Sequence, residues 1–259
     1  MHSTKEKLEA FKRLLEIMDE LRTKCPWDRE QTLDSLRNLT IEETYELADA
    51  IMDQDLEEIR KELGDLILHI VFYAKIGSEK GAFDIKDVLD GVNNKLVFRH
   101  PHVFAEREVK DSGEVIQNWE ELKMKEGNRS VLAGVPVSLP AMIKSHRIQD
   151  KVRAVGFDWD RREQVWDKID EEMREVRHEV VNGSDQERIE EEMGDLLFSI
   201  VNAARLYNIE PETALERTNR KFIKRFKYLE KKAAEQHRSL KDMSLEEMDR
   251  IWEEAKGLD

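Results

Sequence analysis

The chain has 259 residues, 39% of them charged against about a quarter in an average globular domain, and a formal net charge of −14. That acidity excludes a general nucleic-acid binder, although a bound metal can still bring in a phosphate-bearing ligand. Cys25 is the only cysteine, so no intrachain disulfide forms and a reducing compartment is expected.

The first stretch, MHSTKEKLEAFKRLLEIMDEL, is amphipathic and lacks the apolar core of a secretory signal. No segment approaches about 18 uninterrupted apolar residues, so no membrane span is expected and the reading is a cytoplasmic protein. Around IEETYE, the apolar residues Leu39, Tyr45, Leu47, Ile51 and Met52 follow a helical period. A short turn at DQD, residues 53–55, precedes KELGDLILHIVFYAKIG. Past Asp65 this run is nearly all apolar, which predicts a helix central to a bundle. Then come NNKLVFR, with Lys95 and Arg99, and WEELK, with Trp119 and Lys123.

The same phrases then return in the same order. Glu42-Glu43-x-x-Glu46 returns as Glu171-Glu172-x-x-Glu175, and Glu62-x-x-Asp65 as Glu192-x-x-Asp195. Asn93-x-Lys95-x-x-x-Arg99 returns as Asn219-x-Lys221-x-x-x-Arg225, and Trp119 with Lys123 as Trp252 with Lys256. Such a series marks a duplication. The segment GNRSVLAGVPVSLP, residues 127–140, holds two of the five prolines and reads as the linker. The expected organisation is all-α: two tandem helical bundles, residues 1–127 and 128–259.

Residues three or four apart share a helix face, so Glu43 pairs with Glu46 and Glu62 with Asp65. A short turn makes the two helices antiparallel neighbours and sets the acidic pairs opposite each other. An isolated E-x-x-D is ordinarily solvated surface. Here apolar residues follow both Asp65 and Asp195, and clustered carboxylates in such surroundings repel and resist desolvation. A divalent cation relieves both. Oxygen-only donors select Mg²⁺, or Mn²⁺, over zinc or copper. The pairs Lys95/Arg99 and Lys221/Arg225, each one helical turn apart, suit phosphate oxygens. Trp119 and Trp252, each four residues before a lysine, are core residues or platforms for a base.

At these residues the sequence resembles the MazG family of nucleoside triphosphate pyrophosphohydrolases. CPWDREQT, RHPHVF, SLPA and VGFDW add to the likeness, which spans nearly the whole chain. The resemblance implies an all-α fold, a homodimer, Mg²⁺ dependence, and hydrolysis of NTPs and dNTPs of several bases to the monophosphate and pyrophosphate. It implies metal ligation by Glu172, Glu175, Glu192 and Asp195, with Glu43, Glu46, Glu62 and Asp65 as counterparts. Glu171 and Glu42 would orient or deprotonate the attacking water. Lys221 and Arg225 would hold phosphates, helped by Lys168 and Lys256, and Trp252 would face the nucleoside. The halves differ: Leu39 stands where Lys168 does, and FRHPHVF replaces KRFKYLE, which favours the second half as the nucleotide site.

Two other classes compete. A di-iron carboxylate bundle needs E-x-x-H from two helices. Glu175-x-x-His178 fits once, but Asp49 takes the histidine's place in the first half. A non-catalytic binding module has no reason to keep two full sets of costly acids. A P-loop is excluded, because no G-x-x-x-x-G-K-[ST] is present.

Overall fold

The computed structural model describes residues 1–105, 109, 115 and 130–258. Among them the regular structure is entirely helical. The chain divides into two compact units, Met1–Val109 and Lys110–Asp259. The expected boundary at residue 127 lies outside the described residues.

In the first unit, α1 (Thr4–Lys24) starts at a capping box made by Ser3 and Glu6. The side-chain oxygens satisfy backbone N–H groups that the first turn would otherwise leave unbonded. After the short α2 (Pro26–Glu30), α3 (Leu33–Asp53) begins at a second box, between Thr32 and Ser35. Gln54, in the left-handed region at φ 57°, reverses the chain. Asp55 then caps α4 (Leu56–Glu79) by accepting from the N–H groups of Glu57 and Glu58. The two-residue turn packs α3 and α4 side by side. α5 (Ile85–Arg99) and α6 (Pro101–Phe104) follow.

Met18, Leu36, Val71, Phe72 and Ile76 form the buried core of this unit. Burying each of the larger ones stabilises the fold by on the order of 2 kcal/mol. Tyr73 and Thr40 join α4 to α3 through a 2.7 Å hydrogen bond between their hydroxyls. Arg22 ties three helices together: it donates to the carbonyls of Asp28 and Gln31, pairs with Glu79, and lies over the Phe72 ring. Gly77 lets the loop after α4 fold tightly back, because a Cβ there would sit 2.7 Å from the Phe83 ring.

The expectation of a helix buried all round holds for one face of α4 only. Val71, Phe72, Ala74 and Ile76 are buried, whereas Leu63, Ile67 and Ile70 are each nearly half exposed. A single unit of this size has too few helices to enclose the second face.

The second unit repeats the scheme. It contains α7 (Ala141–Arg153), α8 (Gln164–Asn182), α9 (Gln186–Leu206), α10 (Pro211–Glu235), a 3₁₀ turn (Leu240–Asp242) and α11 (Leu245–Lys256). Gly183, at φ 69°, ends α8 as a left-handed C-cap, and Asp185 caps α9. α8 lies along α9. Leu229, Ala233, Met243 and Ile251 pack α10 against the 3₁₀ turn and α11.

Candidate metal and nucleotide site

In each unit the two long neighbouring helices bring carboxylates together. Glu43 on α3 meets Glu62 and Asp65 on α4, with one oxygen from each within 4.8 Å of the others. Glu172 on α8 meets Glu192 and Asp195 on α9 in the same way. Glu62, Glu172 and Glu192 are buried. The helical spacing and the tight turn produce both clusters, as the motif spacing predicts. Glu46 and Glu175, one turn further on, stand at the edge of each cluster and are exposed.

The crowding has an electrostatic cost. Burial, then the negative charges of Glu43 and Asp65, hold the Glu62 carboxyl above the usual carboxylate range. Glu43 is raised by burial and by Asp65, and Glu46 by burial and by Glu62. In the second unit Glu175 is raised by burial and by Glu172. Glu62 Oε2 is buried without a hydrogen-bond partner. An unpartnered anionic oxygen inside an oxygen-only donor set fits a hard divalent cation. The residues to hold one are Glu43, Glu62 and Asp65, with Glu46 beside them, and Glu172, Glu192 and Asp195, with Glu175.

The clusters differ in their cations. Lys168 Nζ lies 2.7 Å from Glu172 Oε1 and 2.8 Å from Glu171 Oε1. These hydrogen bonds push the Lys168 ammonium well above its ordinary value and hold the Glu171 carboxyl low. Arg188 Nη2 lies 3.2 Å from Glu192 Oε1. Leu39 and Glu58 occupy the matching places in the first unit. The motif reading missed Arg188. The i,i+4 spacing of Arg188 and Glu192 was its available signal, and aligning the repeats one turn earlier would have exposed the Arg-for-Glu exchange.

The remaining candidates sit on other helices. Lys221 is exposed on α10, and Arg225, half-buried one turn later, lies 5.9 Å from the centroid of the Trp252 ring. Phe222 packs tilted against the same ring at 4.9 Å. Lys256 is exposed and paired with Glu253. Lys95 is exposed and Arg99 half-buried near the end of α5, and Glu42 is exposed on α3. Trp119 and Lys123 lie outside the described residues.

Duplicated four-acid motifs on paired helices define a class of all-α proteins with candidate metal sites, and sequence comparison assigns the family. The MazG nucleotide pyrophosphohydrolase domain matches twice, over residues 31–104 and 161–229. The chain is 42% identical to "Nucleoside triphosphate pyrophosphohydrolase" of Escherichia coli (strain K12), over 96% of this chain and 98% of that one. It is 41% identical to "Nucleoside triphosphate pyrophosphohydrolase/pyrophosphatase MazG" of Thermotoga maritima, over 96% of each. It is 45% identical to "Uncharacterized protein YabN" of Bacillus subtilis, over 95% of this chain and 51% of that one. The chain belongs to the MazG nucleotide pyrophosphohydrolase family, a family of hydrolases. Among the described residues no helix is long and apolar enough to cross a membrane.

Proposed function

We propose that this chain hydrolyses nucleoside triphosphates, ribo and deoxy, to the monophosphate and pyrophosphate, with Mg²⁺ as the metal and with broad tolerance of the base. Mn²⁺ can take the place of Mg²⁺ in the same oxygen set. The supporting observation is the placing of Lys168 and Arg188 directly on the Glu172–Glu192–Asp195 cluster. Cations already at the rim of a metal site can turn to phosphate oxygens once a metal takes over the carboxylates.

Glu172, Glu175, Glu192 and Asp195 hold the metal in the second unit. When bound, the metal neutralises phosphate charge, polarises the α-phosphorus and makes bound water more acidic. Glu171, kept ionised by Lys168, positions the attacking water and accepts its proton. Lys168 and Arg188 then meet the phosphates, with Lys221, Arg225 and Lys256 completing the grip. Trp252 faces the nucleoside. The first unit binds metal through Glu43, Glu46, Glu62 and Asp65, with Glu42 in the place of Glu171 and Lys95 and Arg99 as its cations. It binds triphosphate less well, because Leu39 and Glu58 replace two positive charges.

The exposed apolar residues on the paired helices, Leu63, Ile67 and Ile70 in one unit and Leu197 and Ile200 in the other, support assembly as a homodimer. The single cysteine and the acidic surface fit a cytoplasmic enzyme. Incubation with ATP and Mg²⁺, followed by ion-exchange separation, tests the reaction. AMP and pyrophosphate are expected; ADP and phosphate would refute cleavage between the α- and β-phosphates.

A further inference from the structure

The two carboxylate clusters are built alike but neutralised differently. In the second unit each buried glutamate has its own cation. Lys168, one turn before Glu172 on α8, holds Nζ 2.7 Å from Glu172 Oε1 and 2.8 Å from Glu171 Oε1. Arg188, one turn before Glu192 on α9, spreads its guanidinium over Glu192 Oε1 and Glu191 Oε2, each at 3.2 Å. Both contacts fall on members of the set that would hold a metal.

The matching positions of the first unit do the opposite. Leu39, one turn before Glu43, brings no charge. The pair Arg188–Glu191 has its counterpart in Glu58–Lys61, with the polarity reversed, so that a carboxylate stands one turn before Glu62. Lys61 is engaged with Glu58, Nζ to Oε1 at 2.7 Å. Glu62, 9% exposed, is left with Oε2 buried and without a hydrogen-bond partner.

A metal and these cations compete for the same carboxylates. A divalent ion that takes an oxygen from Lys168 or Arg188 gives up part of its gain to their repulsion. A buried carboxylate with no counter-charge gains most from an arriving metal. The two holds are unequal. The Glu172 side chain is 6% exposed, so its bond to Lys168 is poorly screened, whereas Arg188 is 55% exposed, where ion pairs are weak. Lys168 is therefore the stronger. An anion with several oxygens removes both, because ammonium and guanidinium groups bind phosphate oxygens as they do carboxylates.

We propose that Lys168 and Arg188 are internal counter-ions that close the second cluster to a free metal ion until a triphosphate draws them off, whereas the first cluster, which has none, holds a resident divalent cation without nucleotide. This rests on the nucleotide reading of the second site for the identity of the anion. It gives the duplication two uses: one metal site that stays filled, and one that fills only together with its substrate.

The test is calorimetric titration with Mn²⁺, read without catalysis. The intact chain should bind one ion tightly and a second at least about tenfold more weakly. Glu43→Gln should abolish the tight event. In Lys168→Met the weak event should tighten by about tenfold. The sign is the point, because loss of a residue that merely shapes a metal site weakens the metal. Arg188→Gln, at an exposed position where folding is not at risk, should tighten it by about threefold. The preformed Mn²⁺ complex of α,β-methylene ATP should bind the second unit at least about tenfold more tightly than Mn²⁺ alone, and Lys168→Met should shrink that advantage. A second event as tight as the first, loss of the weak event in Glu43→Gln, or unchanged or weaker Mn²⁺ binding in Lys168→Met would overturn the proposal. If Lys168→Met fails to fold, Arg188→Gln decides in the same way. No binding of the analogue complex by the intact chain would refute the nucleotide reading, while Mn²⁺ alone still decides the counter-ions.

Discussion

Lys168 Nζ lies 2.7 Å from Glu172 Oε1, and the residue at the corresponding place in the first unit is Leu39. With Arg188–Glu192, where the first unit has Glu58, this is one of two i,i+4 pairs that separate the two carboxylate clusters. Lys168→Met should lower kcat/KM for NTP hydrolysis by about 100-fold, the usual cost of removing one cation aimed at developing phosphate charge. Stopped assays of pyrophosphate release measure this. A change below about threefold would remove Lys168 from the site.

Glu172→Gln and Glu43→Gln should separate the units. Each variant should lose one Mn²⁺-binding event in calorimetric titration, because each removes a carboxylate from one candidate metal cluster. Only Glu172→Gln should lower turnover by about 100-fold or more; Glu43→Gln should change it by less than about twofold. Equal losses would mean that both units work. Chelation of the metal should stop the intact chain and excess Mg²⁺ should restore it.

Gly77→Ala should destabilise the first unit. Alanine normally favours a helix interior by about 1 kcal/mol. Here its Cβ would lie 2.7 Å from the Phe83 ring and 2.9 Å from the Phe83 carbonyl oxygen. Overpacking of that kind costs about 1–3 kcal/mol, so the net loss should be about 1 kcal/mol. Urea unfolding should place the shift in one of two transitions, since two units need not unfold together. A stabilised variant would show that the Phe83 loop yields.

Glu247 offers a test of pH. Its carboxyl is held at about 2, against an ordinary 4.5, first by the side-chain hydrogen bond from Arg238 and next by the Ser244 backbone N–H. A depressed folded pKa contributes stability above the unfolded value and loses it as pH falls toward the folded one. The contribution is therefore complete above 4.5 and is lost between 4.5 and about 2. Glu247→Gln should narrow the difference in melting temperature from the intact chain across that window, and the difference should be constant above it. A difference independent of pH would refute the assignment.

The sequence by itself determined the helices and the duplication, because the 3.6-residue period and the recurring acidic phrases are local properties. It also placed Glu43, Glu62 and Asp65, and Glu172, Glu192 and Asp195, within reach of one another, because helical spacing plus a turn of two residues in the first unit and three in the second leaves little freedom. Only the tertiary structure decided what depends on contacts distant in sequence. Gln149 and Phe198 are 49 residues apart, and Asp158 and Arg205 are 47 apart. Their meeting follows from how α7 packs on α9 and from the turn at Gly156. It also decided which face of the apolar α4 is buried: a run with so few polar residues carries little period to mark its inner side, so packing against α1 and α3 makes that choice.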